Sequence, residues 1–256
     1  MRYTNKYGLP DVFVRAVVND PYNKGESDFS STGLAMPPRA TALLDLYPDQ
    51  VEVDVTSRVA AIIGQGSHSV AERAARPGID LCEKRLFAQF PVDGALFTVS
   101  AQLDLYEQDT CTLYDWKTTK AYAFSKKAGS GKKPEWIDQL NIGAEILRRQ
   151  PEKYNPRALR IIAMLKDWNK REAGSVGMPE SEVISVDLPL WDSAKATEHI
   201  ENRIRLHIMA KRDLPTCGTR EHWGGNRCGQ WCDASSVCTQ YQESLKTGLM
   251  KKAEGE

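Results

Sequence analysis

The 256-residue chain lacks any apolar run approaching the length of a membrane span, and its mean hydropathy is negative. A membrane-spanning helix is therefore not expected. The opening stretch MRYTNKYGLPDVFVRAVVNDP has acids among its apolar residues and nothing like a cleavage site, so no secretory leader is expected in this chain. Net charge is also absent: 34 basic side chains meet 34 acidic ones. That argues against a wholly basic nucleic-acid binder unless the charge is unevenly placed. No internal repeat is found. What is present is an ordinary globular composition, 41% hydrophobic with 18 glycines, in a length suited to one large domain or two small ones. A cytoplasmic protein with a real core and no membrane partner is the expectation.

The charge is in fact uneven. From Trp116 to Pro134 the chain reads WKTTKAYAFSKKAGSGKKP, with Lys117, Lys120, Lys126, Lys127, Lys132 and Lys133 and no acid. The Gly and Ser of KKAGSGKK mark a surface loop. Such a loop is either solvated surface or a lysine-rich contact to a phosphate backbone, where each contact releases counterions.

Periodicity predicts a short helix over 9–19, mostly loop over 20–40, and helices in ATALLDLYP and VTSRVAAIIGQGSHSVAERAAR. Three β-type runs follow, LCEKRLFAQF, LFTVSAQLDLYE and TCTLYDWKTT, separated by short turns as in an antiparallel meander. PEWIDQLNIGAEILRRQ is an amphipathic helix opened by Pro134, ALRIIAMLKDW and EVISVDLPL are further strands, and a long helix starts at an Asp192 cap. The order indicates an α/β (α+β) domain, a mixed central sheet flanked by helices, with a small cysteine-rich C-terminal segment. The expected divisions are a lead-in segment (1–50), a core (51–212), a four-cysteine segment (213–242) and a flexible tail (243–256).

Asp104 follows one apolar strand run, and Asp115-Trp116-Lys117 lies on the next. On paired strands joined by a short turn, the two carboxylates can converge at one end of the sheet. Converging carboxylates repel unless a hard cation such as Mg²⁺ lies between them. Lys117, two residues beyond Asp115, projects from the same strand face. There it can orient or deprotonate an attacking water, while the metal supplies Lewis acidity. The alternatives are ordinary: a hairpin-end aspartate and a strand-end lysine. Asp115-Trp116-Lys117 is the single acid-x-Lys triplet in the chain. Upstream, His68 and Glu72 are four apart, hence on one helical face. His68 is either a nitrogen ligand to the same metal or a structural histidine, and Glu72 can hydrogen-bond or approach the cation. Downstream, Gln139 falls on the first turns of the amphipathic helix, within reach of the site.

The order GQGSHSVAE (64–72), AQLD (101–104), DWKTTK (115–120) and WIDQL (136–140) resembles the RecB-type branch of the PD-(D/E)XK nuclease superfamily. FSSTGLAMPPRA (29–40) is similar to the Ser/Thr-led segment that phage and bacterial members carry before the core. The resemblance implies a restriction-endonuclease-like fold and metal ligation (Mg²⁺ or Mn²⁺) by His68, Asp104, Asp115 and the Trp116 carbonyl. It further implies Lys117 as catalytic lysine and Gln139 as the active-site or nucleic-acid glutamine. Glu72 and Glu83 are weaker members, and Glu83 is equally read as a strand-surface acid. Two positions depart from the pattern: Ala101 stands where the branch often has Gly, and Gly143 where its glutamine motif often has Tyr.

Cys82 and Cys111 fall in apolar strand runs and are expected as core thiols. Cys217, Cys228, Cys232 and Cys238 crowd the window CGTREHWGGNRCGQWCDASSVC. Without a secretory leader, disulfides are not expected, and four thiolates in a loop-rich segment suit Zn²⁺ or an iron–sulfur cluster. The gaps of ten, three and five differ from paired zinc knuckles. Iron–sulfur members of the RecB-like branch, including AddB and a CRISPR adaptation nuclease family, are similar in a close C-terminal trio plus one distant N-terminal cysteine. AMPPRA offers no such cysteine, so Cys217 would take its place. The resemblance favours [4Fe–4S] over Zn²⁺, for which His222 is a further ligand, and a clasp-like structural role. The implied function is a metal-dependent DNA exonuclease of phage or bacterial recombination or repair, acting on single- or double-stranded DNA with recombination proteins as partners. A structure-specific endonuclease and a catalytically silent DNA-binding or assembly subunit are the alternatives.

Overall fold

A computed structural model of the chain describes residues 1–20, 23–125 and 130–249. It divides into two compact units that are discontinuous in sequence, residues 24–35 with 60–201 in one, and 1–23, 36–59 and 202–256 in the other.

The first of these is built on a six-stranded mixed sheet. Its strands are β2 (Phe29–Ser30), β4 (Leu81–Val92), β5 (Ala95–Glu107), β6 (Thr112–Thr119), β7 (Ala158–Leu165) and β8 (Val183–Leu188). β4 lies antiparallel along β5 from Leu81↔Tyr106 to Val92↔Ala95. The other edge of β5 is shared: β2 pairs with it in parallel at Val99 and Ser100, and β6 pairs antiparallel at Leu105–Glu107. β6 then pairs in parallel with β7, and β7 antiparallel with β8. The expected meander and mixed sheet are both present, and the arrangement fits an α+β restriction-endonuclease-like core.

Helix α5 (Pro134–Arg148) connects β6 to β7 and is buried on nearly every side. Its length and amphipathic pattern bring Leu140, Ile142, Ala144, Ile146 and Leu147 into the core. Burying each of these leucine and isoleucine side chains contributes about 1.5–3 kcal/mol. Its buried polar groups are satisfied: Asn141 donates to Pro189 O and accepts from Trp191 N, and Glu145 pairs with Arg149 and accepts from Ser193. Alternation in β7 is strict, with Leu159, Ile161, Ala163 and Leu165 buried. Gly143 lets α5 approach the sheet closely: a Cβ there would meet Leu103 Cδ2 at 3.4 Å and Ala101 Cβ at 3.8 Å. The two departures from the nuclease pattern, Ala101 and Gly143, are thus neighbours, and a methyl on the strand faces an empty position on the helix.

The segment 20–40 is more ordered than its composition predicts. Besides β2 it holds α2 (Ser31–Ala35), with α3 (Pro38–Leu46) beginning near its end. A two-residue strand has no period to read, and α2 is opened by Ser30, whose Oγ accepts from Gly33 N at 3.0 Å. Cys82 and Cys111 are half-buried rather than core thiols. Cys111 lies in the turn before β6 with φ +53°.

The other unit holds a two-stranded parallel sheet of β1 (Arg2–Thr4) and β3 (Glu52–Asp54), with α1 (Asp11–Val18) and α3. It continues through short C-terminal helices: α7 (Thr219–His222), α8 (Asn226–Gln230) and α9 (Thr239–Lys246). Between β3 and β4 runs α4 (Val59–Ala71); between β8 and α7 runs α6 (Ser193–Ala210), whose first turn is capped by Asp192 Oδ1 on Lys195 N. Helix α9 extends past residue 243, and 250–256 lie outside the described residues. Among the described residues no helix is long and apolar enough to cross a membrane.

Candidate functional site

The ladder between β5 and β6 ends at Leu105↔Tyr114. The next register pair would be Asp104 and Asp115, so the two aspartates stand where the strands fork, each buried. The Trp116 N–H donates to Asp104 Oδ2 at 2.7 Å across the fork. Beyond it β6 follows β7, with Asp115 opposite Ile161 and Lys117 opposite Ala163.

Lys117 shares the Asp115 face of the strand, as the two-residue spacing predicts. Its Nζ is 2.7 Å from Asp115 Oδ2 as an ion pair and donates to Gln139 Oε1 at 3.2 Å. Gln139 Nε2 donates back to Asp115 Oδ1 at 3.2 Å. The buried α5 therefore fixes both the carboxylate and the lysine through one amide. The Lys117 pairing lacks hydrogen-bond alignment, so Asp115 Oδ2 is a buried oxygen without a hydrogen-bond partner. Such an atom is costly unless something else satisfies it.

His68, on α4, places Nδ1 3.0 Å from Glu83 Oε1 and 3.4 Å from Asp104 Oδ1. His68, Glu83 and Asp104 each offer a ligand atom within 4.8 Å of the others. The hydrogen bond with Glu83 is the main cause raising the His68 pKa. Burial pushes the Glu83 carboxyl up, but hydrogen bonds from His68 and from Gln102 outweigh it and hold it below the ordinary range. Burial, then the neighbouring Asp115 charge, raises Asp104 to about 7. A nitrogen and several carboxylate oxygens, with the charge of Asp115 disfavouring that of Asp104, beside an orphaned buried oxygen, fit a hard divalent cation.

Glu83 is the acid for which the sequence leaves two readings open. It stands opposite Asp104 in the β4–β5 register but drops out of the ladder, with φ +47°. A non-glycine residue in that region within a strand is a strained position of the kind found at functional sites. Glu72, by contrast, is not brought in. Helix α4 ends at Ala71, and Glu72 opens a 3-10 turn in which it is exposed, so the i, i+4 face does not continue to it. Ser31 carries no chemical signal of its own in the sequence. It is buried at the start of α2 and lines the recess with Asp104, Asp115 and Gln139; the Ser/Thr-led FSST segment is the signal that could have found it.

Lys120 and Lys132 are exposed, and Lys133 Nζ lies 4.8 Å from the centre of the Trp136 ring. Lys126 and Lys127 lie outside the described residues.

Cys217, Cys228, Cys232 and Cys238 all line one cavity, with Arg39, Ser235 and Gln240. Gln240 ties Cys217 down at both backbone groups, at 2.8 and 2.9 Å. All four thiols are free. Burial pushes Cys217 up to about 12 and Cys232 to about 11. His222 does not line the cavity.

No protein-family model matches the chain, and no curated protein matches it. Among solved structures it is similar to the crystal structure of SSO0001, at a TM-score of 0.60 and 15% identity over 90% of this chain and 96% of that one. A phage-related exonuclease from Haemophilus somnus 129PT overlaps at a TM-score of 0.39 and 12% identity, over 69% of this chain and 80% of that one. The first likeness is one of fold: the chain has the fold of the SSO0001 structure.

Proposed function

We propose that the chain is a divalent-metal-dependent DNA nuclease of the RecB-like type, an exonuclease serving recombination or repair. The observation that carries this reading is the fork. It holds two buried carboxylates, a lysine on the face of one of them, and a glutamine from a buried helix bonded to both lysine and carboxylate. His68, Asp104 and Asp115 would hold the ion, with Glu83 beside them and the Trp116 carbonyl as a further oxygen. When bound, Mg²⁺ or Mn²⁺ supplies Lewis acidity toward phosphate and water. Gln139 keeps Asp115 and Lys117 in one orientation. Lys117 positions the attacking water and offsets the negative charge that develops on the phosphoryl oxygens as the phosphodiester is cleaved. Lys120, Lys132 and Lys133, with Lys126 and Lys127, engage the DNA backbone.

The four cysteines are read as ligands of a [4Fe–4S] cluster that pins the C-terminal segment. The gaps of ten, three and five residues between them differ from paired zinc knuckles and support the cluster over Zn²⁺.

Incubation of end-labelled linear and covalently closed circular DNA with Mg²⁺ tests the reading. Mononucleotide or short-fragment release from linear DNA with circles intact is expected. Nicking of circles would show an endonuclease, and no cleavage of either would refute the nuclease.

A further inference from the structure

Arg39 is buried, and its hydrogen bonds are all made without an acid. Its Nε donates to Cys238 Sγ at 3.3 Å, one terminal nitrogen to Leu214 O and Pro215 O at 3.2 Å each, and the other to Thr239 Oγ1 at 2.8 Å. Among the described residues no carboxylate pairs with it. A guanidinium cannot shed its proton at neutral pH, so a buried one requires a counter-charge. Neutral carbonyls and a hydroxyl hold it in place without supplying one. The cavity it lines offers one source of negative charge, the four cysteines. Four thiolates around a [4Fe–4S] core or around Zn²⁺ leave a net negative group.

We infer that Arg39 is the charge-compensating and positioning residue of the metal group bound by Cys217, Cys228, Cys232 and Cys238. The inference rests on the reading of those cysteines as ligands. Its reach explains the local chain path. One planar fork bonds the backbone just before Cys217 and the side chains of Cys238 and Thr239, so it closes both ends of the cysteine segment at once. Hydrogen bonds and positive charge at a ligand sulfur also raise the reduction potential of an iron–sulfur cluster.

The test uses the full chain purified without oxygen, as wild type, Arg39→Gln and Arg39→Lys. Iron and acid-labile sulfide in the wild type check the cluster reading by themselves. With the cluster present, Arg39→Gln is expected to lower the midpoint potential by about 59 mV or more, tenfold in a one-electron equilibrium. Arg39→Lys keeps the charge and is expected to stay within that margin of wild type. Equal potentials in all three proteins, or equal lowering in both variants, would overturn the inference. If Arg39→Gln gives no soluble protein, Arg39→Lys decides: a retained cluster near the wild-type potential supports the charge role, and a lost cluster overturns it. If the wild type holds zinc instead of iron, the cluster reading fails and Arg39 is judged by metal release to a chelator. Release at least tenfold faster from Arg39→Gln than from the other two supports it, and equal rates overturn it.

Discussion

Asp104 gives the candidate site a pH signature that can be measured before any substrate is known. In the fold its carboxyl is raised to about 7 from 3.8, first by burial and then by the charge of Asp115. The folded protein therefore keeps a proton that the unfolded chain has already lost, and stability falls as pH rises through this window. A rise of about three units corresponds to roughly 4 kcal/mol at 1.36 kcal/mol per unit. Asp104→Asn removes the titration while retaining the shape of the side chain. Urea unfolding of metal-free protein should show wild type losing about 4 kcal/mol relative to Asp104→Asn between about pH 4 and pH 7. The His68 contribution, also present at low pH and lost as pH rises, persists in the variant because its main cause is Glu83. Added Mn²⁺ should flatten the wild-type slope, since a bound cation favours the ionised carboxylate. Parallel pH profiles for the two proteins would show that Asp104 is ionised in the metal-free fold, and burial and repulsion at the fork would not dominate its charge.

Other consequences follow from the same geometry. Lys117→Ala should cut turnover by about 10²-fold or more while DNA affinity changes little; equal losses in single-turnover rate and in Kd would make it a mere phosphate ligand. Replacing Lys126, Lys127, Lys132 and Lys133 by Gln should lower the salt slope of duplex binding by about 0.9 for each DNA phosphate that is no longer neutralised. An unchanged slope would make the loop bystander surface. Gly143→Tyr introduces the residue common in the RecB-like pattern but must push a ring against Leu103, Leu113 and Ala101. It should destabilise by about 1–3 kcal/mol in urea unfolding, and a neutral result would mean α5 can shift.

Much of the core is legible in the sequence because its elements are long and periodic. β4 and β7 alternate and α5 is long and amphipathic, and the short turn between β5 and β6 brings Asp104 and Asp115 together in the expected sense. Less legible is anything that depends on a break in regularity. Glu83 reaches His68 because its backbone leaves the strand conformation, and no residue pattern announces that. Helical spacing assigns Glu72 to the His68 face, yet the helix tightens to a 3-10 turn at that residue. β2 and α2 are too short for any period, and they place Ser31 at the recess. Arg39 is invisible for another reason: it lies 178 positions before Cys217 in the sequence, and only folding brings it to Cys238.

The proposed function puts a divalent cation and the cleavage of DNA at the fork of β5 and β6. Cleavage of end-labelled linear DNA with Mn²⁺ by wild type, Asp104→Ala and Asp115→Ala, each with unchanged circular dichroism, tests this most directly. Activity in the wild type and none in either variant is the predicted result. Full activity in either variant would contradict it.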